Sequence, residues 1–272
     1  MVALFDVSGG VLLAHKYENT DPTGFLASEK YDGVRAIWDG NQLKSRSNKN
    51  FYAPDWFLQL LPSDHALDGE LYIKRGSFEN TFSVVSKKIP VDDEWKQIKY
   101  MLFDLPSSSE KPFENRLSEL HDIIPRSNSR LQVAKHTHVK SRDHMDTMLR
   151  DILSKGGEGL MLRNPASMYQ QKRTKNLLKV KPSDDAEAVV VGMVEGKGKD
   201  SGRLGALEVV LKSDNSIKFK IGSGLTDQLR ENLWSNKNSY IGDTVTFGYT
   251  GVTKYGVPRH PVFIRKRVDK AY

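Results

Sequence analysis

The sequence predicts a chain of the α+β class in two parts, and three features predict it. Residues 25–181 alternate strand-like runs with stretches of helical spacing, whereas residues 186–267 are nearly all short β-rich runs separated by glycines. Between them lies Lys181-Pro182-Ser183-Asp184-Asp185, a short polar stretch with a proline that is typical of a linker. We therefore predict one domain over residues 1–182 and a second over residues 183–272.

A hairpin signal comes early in the first part. Asp39-Gly40-Asn41 separates the apolar run Ala36-Ile37-Trp38 from residues 42–46, and Asp-Gly supplies the left-handed backbone of a tight turn. Apolar spacing of three and four residues indicates helices over 114–124 and 143–155. Further strands are predicted at 67–73, 98–105, 159–163 and 177–181.

The second part is predicted to be a small β-domain. Its strand-like runs are 186–194, 204–211, 217–221, 244–249 and 262–267, and one helix is predicted over 227–234. Five short strands with a helix fit a small barrel such as an OB-fold, which commonly binds nucleic acid. Strand counting alone leaves other small β-domains open.

Composition narrows the classes of function. The chain has 272 residues, no cysteine, and a net charge of 41 − 34 = +7 from Lys plus Arg against Asp plus Glu. The absence of cysteine excludes disulfides, thiolate metal sites and cysteine catalysis. The positive charge suits a polyanion such as nucleic acid, although many basic proteins bind none. No apolar stretch approaches the ~20 residues that span a bilayer, and residues 1–13 lack the basic region and cleavage site of a signal peptide.

Lys30-Tyr31-Asp32-Gly33-Val34-Arg35 places a lysine beside a tight turn. A lysine amine is a covalent nucleophile once it loses its proton, but an isolated lysine there also fits a solvated strand residue. Asp68-Gly69-Glu70 is open to the same interpretation as an ordinary turn. Glu158-Gly159 sets a carboxylate where it would bind a metal or a sugar hydroxyl, or where a helix simply connects to a strand.

Two lysines near the end of the first part suggest an anion. Lys179 and Lys181 alternate with apolar residues and therefore share a strand face. Their ammonium groups repel unless an anion such as phosphate lies between them, the alternative being a solvated face. Residues 259–270 are densely basic, and the apolar residues among them indicate a folded strand. Gly196-Lys197-Gly198-Lys199 lacks the spacing of a nucleotide-binding Gly-rich loop.

In this order and spacing, the segments resemble the nucleotidyltransferase motifs of ATP-dependent DNA ligases. The resemblance covers nearly the whole chain, and residues 195–207 and 221–224 further resemble the minimal bacterial ligases, many of which carry an export leader. Seven segments carry it: Lys30–Arg35 (motif I), Ser45-Arg46-Ser47 (Ia), Asp68-Gly69-Glu70 (III), Tyr100–Leu105 (IIIa), Glu158-Gly159 (IV), Leu178–Lys181 (V) and Arg267–Lys270 (VI).

The resemblance implies an adenylation domain with antiparallel sheets and flanking helices, followed by an OB-fold β-barrel. It implies that Lys30 attacks the α-phosphorus of ATP and carries AMP as a phosphoramidate, that Glu70 binds the ribose, and that Phe103 stacks on adenine. The implied ATP and AMP contacts are Ser28, Glu29, Lys30, Arg35, Arg46, Glu70, Phe103, Glu158, Lys179 and Lys181. Arg267, Asp269 and Lys270 would orient the pyrophosphate leaving group, and Glu158 and Glu70 would hold Mg²⁺ or Mn²⁺.

The implied partner is nicked double-stranded DNA, encircled or clamped by a monomer that has no membrane contact. We hypothesise that basic side chains hold the DNA phosphates, namely Arg35, Arg46, Lys49, Lys74, Arg75, Lys87, Lys88, Lys172, Arg173, Lys197, Lys199 and Arg203. The implied location is the periplasm if an export leader was removed, and the cytoplasm otherwise.

Two alternatives compete with a DNA ligase. An RNA ligase or a GTP-using capping enzyme shares a similar lysine motif, and the Phe103-Asp104 strand and the complete C-terminal β-domain favour DNA over both. A non-catalytic nucleic-acid-binding module is the alternative from another class. The joint presence of five residues argues against lost catalysis: Lys30, Glu70, Glu158, Lys179 and Lys181.

Overall fold

The computed structural model describes residues 3–182 and 184–267 and shows two compact units. The first unit comprises Met1–Asp146 and Leu160–Lys179, and the second comprises Thr147–Gly159 and Val180–Tyr272. The boundary between residues 182 and 183 stays a prediction. No helix in the described ranges is long and apolar enough to cross a bilayer.

Two sheets with flanking helices cover the region up to residue 180. One has the strand order β1-β11-β10-β2-β9 and the other the order β5-β4-β3-β6-β7-β8. The strands are β1 (Leu13–Lys16), β2 (Leu26–Glu29), β3 (Val34–Trp38), β4 (Leu43–Lys44), β5 (Asn50–Phe51), β6 (Leu67–Tyr72), β7 (Lys99–Asp104), β8 (Leu131–Val133), β9 (Thr137–His138), β10 (Leu160–Arg163) and β11 (Arg173–Val180). The helices are α1 (Asp55–Leu58), α2 (Phe78–Val85), α3 (Asp92–Trp95), α4 (Phe113–Ile123) and α5 (Arg142–Ser154).

The predicted hairpin is confirmed as β3 and β4. Gly40 has φ = 95°, the left-handed conformation that the turn requires, and the Asp39 carboxylate accepts hydrogen bonds from the backbone of Asn41 at 2.9 Å and Gln42 at 2.8 Å. β3 then pairs with β6 in antiparallel register, with Arg35 opposite Glu70. This register brings the end of motif I alongside motif III.

An apolar core packs against β6 and β7 in the middle of the six-stranded sheet. Leu67, Leu71 and Leu102 are fully buried in it. The hydroxyl of buried Tyr100 donates to the carbonyl oxygen of Ala36 at 2.8 Å, which satisfies its polar group inside the core. Because packing on one face fixes the backbone of these strands, it also fixes the positions from which the side chains on the opposite face extend.

His136 is a titratable side chain packed inside this unit. Its Nδ1 donates to the carbonyl oxygen of Ala134 at 2.8 Å. Its ring meets the ring of Phe113 edge to face, with the two ring centroids 5.3 Å apart. Burial lowers the pKa of His136 from 6.5 to about 4, and the positive charge of Arg163 acts in the same direction. The imidazole is therefore neutral in the folded protein down to mildly acidic pH.

We expect acid to destabilise the protein through this residue. Between the folded and unfolded pKa values the unfolded chain binds a proton that the fold excludes, so stability falls as the pH falls through this window. Lowering the pH from about 8 to about 5 should cost the wild type about 2 kcal/mol more than a His136→Gln variant. Urea unfolding of both proteins at the two pH values measures this difference, in which other titrating groups cancel. Equal losses in the two proteins would contradict it.

The second unit contains an antiparallel barrel with the strand order β14-β13-β12-β15-β16. Phe247, Val209 and Ile221 are fully buried in its core. Its elements are β12 (Asp184–Glu195), β13 (Leu204–Leu211), β14 (Asp214–Ile221), α6 (Asp227–Ser235), α7 (Lys237–Tyr240), β15 (Thr244–Tyr249) and β16 (Val262–Lys266). A bridge between Ser223 and Val262 brings β16 to the end of β14. The predicted OB-fold is confirmed.

Some sequence predictions were wrong or incomplete. The sequence predicts a linker that extends to Asp185, but β12 begins at Asp184. Residues 184 and 185 pair with Tyr249 and Gly248 of β15, and this pairing satisfies their backbone groups in the sheet. β1 and α2 were not predicted, since their stabilising partners are distant in sequence: β1 pairs in parallel with β11. Asp269 and Lys270 lie outside the described residues.

Candidate active site

Lys30 follows β2 directly and begins the turn into β3, where its side chain is half-buried. Gly33 allows this turn to press against β6: a Cβ atom at residue 33 would lie 2.2 Å from the carbonyl oxygen of Leu71 and 2.9 Å from Cγ of Glu70. Backbone atoms cannot yield such space, so the turn requires glycine. This contact places the chain that carries Lys30 against the strand that carries Glu70.

A cavity of about 590 Å³ opens beside this turn. It brings together four of the predicted site residues, Arg35, Arg46, Lys49 and Glu70. Lys30 and Phe103 do not line it. The other lining residues are Gly33, Val34, Ser45, Ser47, Asn50, Phe51, Phe78, Phe82 and Ser86. Three cationic side chains and one carboxylate give the cavity a net positive charge, which favours an anionic ligand.

Arg35 is held in place by a buried carboxylate. Its Nε and Nη2 donate to the two oxygens of Asp68 at 2.7 and 2.6 Å, and Nη2 also donates to the carbonyl oxygen of Leu12 at 3.0 Å. The Tyr169 hydroxyl donates to the same carboxylate at 2.7 Å. Burial works against the charge on Arg35, but the charge of Asp68 outweighs it and raises the pKa of the guanidinium. Arg35 is thus charged and preorganised at the cavity wall.

Phe103 and Asp104 point to opposite sides of β7, as neighbours in a strand do. The Phe103 ring centroid lies 5.3 Å from Cζ of Arg35. Asp104 is fully buried and accepts from Arg116 Nε at 2.7 Å and from Arg163. Burial alone would raise the pKa of Asp104, but the two guanidinium groups lower it below its ordinary value. This ion cluster fixes the end of the strand that carries Phe103.

Glu29, the residue before Lys30, forms a bidentate ion pair with Arg75. Arg75 Nε and Nη2 each donate to a different oxygen of Glu29 at 2.8 Å. The neighbouring rings of Tyr31 and Tyr72 pack with their centroids 5.2 Å apart, and burial raises the pKa of Tyr31. Arg75 was predicted to bind DNA and Glu29 to contact AMP, whereas in this structure each is the other's partner.

The remaining predicted nucleotide contacts lie in three places. Ser28 is buried in β2 opposite Met161 of β10, and Lys179 lies in β11 in register with Lys16 of β1. In the second unit, Lys181 Nζ donates to a Glu158 carboxylate oxygen at 2.8 Å.

Arg267 is the part of motif VI that lies within the described residues. Its backbone nitrogen donates to the carbonyl oxygen of Thr244 at 2.9 Å, and its guanidinium pairs with Glu187. Slightly more than half of its side chain remains exposed, at 52%. The guanidinium is therefore both anchored in the barrel and accessible from solvent.

The basic residues predicted to contact DNA fall into two groups. Arg203 pairs with Asp200, Asp227 and Glu231, so it braces the loop before β13. Lys87 pairs with Glu94, and Arg173 donates to a backbone carbonyl oxygen. Arg173 is nevertheless exposed, and the other exposed members are Arg46, Lys49, Lys74, Lys88, Lys172, Lys197 and Lys199. Contacts to DNA stay a prediction for both groups.

The sequence prediction missed several residues of the site. Asp68 and Tyr169 orient Arg35, yet no local pattern links residues 101 positions apart in the chain. Phe78 and Phe82 lie on α2 with parallel rings 6.0 Å apart and with 41% and 47% of their surface exposed. Their i, i+4 spacing was a signal for one helix face. For Asp68, the signal was its place directly before Gly69-Glu70 in motif III.

A lysine at the end of a strand, a glutamate on the strand against which the lysine's turn packs, and an OB-fold barrel are the features of covalent nucleotidyltransferases built from an adenylation domain and an OB domain. Sequence families support this class over most of the chain. The ATP dependent DNA ligase domain matches residues 13–181, and the DNA ligase OB-like domain matches residues 195–267.

Individual relatives agree. The chain is 33% identical to a DNA ligase of Haemophilus influenzae over 94% of its own length and 92% of that protein. A DNA ligase of Thermococcus fumicolans is 28% identical over 62% of this chain and 34% of that protein. Among solved structures, a Lig E DNA ligase studied for DNA binding with a minimal scaffold is 35% identical, covers 95% of this chain and 99% of that chain, and has a TM-score of 0.62. Chlorella virus DNA ligase-adenylate is 29% identical over 96% and 99% of the two chains, with a TM-score of 0.74. The chain belongs to the family of ATP-dependent DNA ligases.

Proposed function

We propose that this ligase seals nicks between a 5′-phosphate and a 3′-hydroxyl in duplex DNA through AMP carried on Lys30. The observation that carries the proposal is the cavity beside the Lys30 turn, which gathers Arg35, Arg46, Lys49 and Glu70. Guanidinium and ammonium groups suit phosphate oxygens, and a carboxylate suits the hydroxyls of a ribose.

In the first step, the neutral amine of Lys30 forms a bond to the α-phosphorus of ATP. The bond from that phosphorus to the oxygen bridging the α- and β-phosphates breaks, pyrophosphate leaves, and the amine releases its proton. Lys179 and Lys181 would balance charge on the phosphates. Glu70 would accept hydrogen bonds from the ribose, and Phe103, held by the strand that Asp104 anchors, would stack on adenine.

In the second step, an oxygen of the DNA 5′-phosphate attacks the phosphorus of the lysine-bound AMP, and the lysine amine leaves. In the third step, the 3′-hydroxyl attacks the adenylated 5′-phosphate, a phosphodiester forms, and AMP leaves. Arg35 and Arg46 would hold the 5′-phosphate during both steps. The bidentate pair with Asp68 keeps the Arg35 guanidinium in one orientation, which favours in-line attack.

The residues fit a hard divalent cation such as Mg²⁺ or Mn²⁺. Within residues 3–182 and 184–267, no group of three or more His, Cys, Asp or Glu side chains is placed to hold a metal ion. Mg²⁺ usually keeps several waters and binds through one or two carboxylates together with substrate phosphates, so single carboxylates suffice. Glu158 and Glu70 would hold it, and it would supply positive charge at the phosphates.

The DNA would be held by sequence-independent phosphate contacts. Exposed lysines such as Lys49, Lys88 and Lys172 suit this role, because phosphate contacts position a duplex without reading its bases. The protein would act as a monomer that clamps or encircles the nicked duplex. Binding of this kind weakens steeply with salt. Nick binding that barely changed between low and moderate salt would contradict the proposal.

Label transfer and sealing assays test the function. Incubation with ATP and Mg²⁺ should add one AMP to the protein by mass spectrometry, with Lys30 as the modified residue after proteolysis. GTP should not replace ATP, and nicked DNA should be sealed in preference to nicked RNA. Transfer from GTP would indicate a capping enzyme, and preferential sealing of RNA would indicate an RNA ligase.

Arg267→Ala should separate the first step from the third. If Arg267 orients only the pyrophosphate, the variant should lose AMP attachment at least ~100-fold, the range of a single electrostatic contact in a transition state. It should still seal a nick whose 5′-end is already adenylated. The matched control is Arg265→Ala, an exposed arginine in β16, which should behave as the wild type. Equal loss of both activities in Arg267→Ala would refute a role confined to the first step.

A further inference from the structure

The connection from β15 to β16 is a small hairpin with its own backbone pairing between Val252 and Pro258. Arg259 donates its backbone N–H to the carbonyl oxygen of Gly251 at 2.8 Å, and Thr253 donates to that of Val257 at 2.8 Å. At its base, Thr250 Oγ1 and His260 Nδ1 lie 2.8 Å apart. Residues 250–260 are therefore held by hydrogen bonds within the segment itself.

The hairpin also rests on the barrel. A Cβ atom on Gly256 would lie 3.1 Å from Cδ1 of Ile217 in β14, so the turn sits close against this strand. The tip is thereby supported from one side and presented to solvent on the other. A tip that is held by such contacts before it binds loses less conformational entropy on binding than an open loop would.

The solvent-exposed side of the tip carries both apolar and positively charged side chains. Tyr255 is 74% exposed and Val252 is 54% exposed. Lys254 Nζ lies 4.9 Å from the centroid of the Tyr255 ring, within reach of a cation–π contact. Residues 250–260 contain Lys254, Arg259 and His260 but no aspartate or glutamate. One exposed apolar residue needs no explanation. An exposed aromatic ring in a segment that carries cations and no acidic residue is complementary to a polyanion with bases or sugars to pack against.

We propose that the tip of the 250–260 hairpin is a DNA contact, in which Lys254 and Arg259 bind backbone phosphates of the duplex flanking the nick and the Tyr255 ring packs against the same strand. The inference rests on the proposed nick-sealing function. Its position in the fold agrees: the loop between the fourth and fifth strands of an OB-fold is one of two that commonly meet oligonucleotides. None of the loops assigned to DNA by sequence includes these residues.

Two variants of the full chain test the contact in different ways. Tyr255→Ala should raise the Kd for a nicked duplex about tenfold, a typical loss for one stacking aromatic, while Tyr255→Phe should stay within about twofold because the ring is kept. Lys254→Ala should lower the slope of log K against log salt by about 0.9, the value for one phosphate contact. Tyr255→Ala should leave that slope unchanged.

AMP attachment and a distant control separate the outcomes. The Tyr255 and Lys254 variants should form the AMP adduct as the wild type does, because that step needs no DNA. Ile241→Ala removes a residue of the same unit that is 49% exposed and lies outside the hairpin, and its Kd should not change. If the wild type binds nicked DNA and both variants bind with the same Kd and slope, the hairpin contact is wrong and the proposed function stands. A loss of AMP attachment in the variants would also overturn the contact, whereas a wild type that forms no adduct would refute the function itself.

Discussion

A Lys30→Ala protein is expected to form no AMP adduct, with a loss of at least ~10⁴-fold that reaches the detection limit, because a covalent step cannot proceed without its nucleophile. The variant should fold normally, since Lys30 is only half-buried at the end of a strand and does not belong to the buried core. Incubation with labelled ATP and Mg²⁺, followed by gel separation and mass spectrometry, measures the adduct.

Two matched variants make the Lys30 result specific. Lys30→Arg keeps the positive charge but offers a guanidinium that stays protonated, so it should be as inactive as Lys30→Ala. Lys135→Ala removes an exposed lysine outside the cavity and should form the adduct at the wild-type rate. Both inactive variants should still seal a pre-adenylated nick, at a reduced rate, because that step no longer needs the nucleophile. A stable AMP adduct on Lys30→Ala would refute the mechanism.

The second large effect is on stability. Asp104 is fully buried between Arg116 and Arg163, which are buried as well. Asp104→Ala would leave two guanidinium groups in the core without their carboxylate, and breaking a buried pair in this way costs about 3–5 kcal/mol. The expected result is a large fall in the urea midpoint, or a variant that is unfolded at 25 °C.

An exposed pair supplies the contrast. Asp93 and Lys96 form a surface ion pair with side chains 87% and 62% exposed, and Asp93→Ala should leave the urea midpoint close to that of the wild type, because exposed pairs contribute little to stability. If Asp104→Ala and Asp93→Ala lost similar stability, the buried cluster would not be the anchor of β7 that we infer. If the Asp104→Ala variant folded and bound ATP as tightly as the wild type, the inference that Asp104 supports Phe103 would be refuted.

Secondary structure followed well from the sequence wherever a local pattern was strong. The hairpin at Asp39-Gly40 and the helices over 114–124 and 143–155 were predicted to within one or two residues of α4 and α5. The strands of the OB-fold were predicted as separate elements for the same reason, since glycines divide them. Elements that depend on distant partners were not found, as β1 illustrates: only its parallel pairing with β11 makes it a strand.

The candidate site shows the same division. Lys30 and Glu70 were named from motifs, because their types and spacing are visible along the chain. Asp68 and Tyr169 were not named as the supports of Arg35, because their contact with it appears only when β3, β6 and the residue-169 loop come together. The i, i+4 spacing of Phe78 and Phe82 was visible in the sequence, but the stacking of their rings and their exposure appear only in the structure.

By itself, then, the sequence determined the kind of chemistry: a lysine beside a glycine turn, carboxylates after strands and a basic β-rich second part, read in order, indicate a covalent nucleotidyltransferase. The tertiary structure alone decided which of these side chains meet. It joined Arg35, Arg46 and Glu70 in one cavity, tied Glu29 to Arg75, and tied Lys181 to Glu158. The physical reason is that residue types and local spacing fix what a group can do, whereas hydrogen bonds and ion pairs between distant residues depend on the packing of the whole fold.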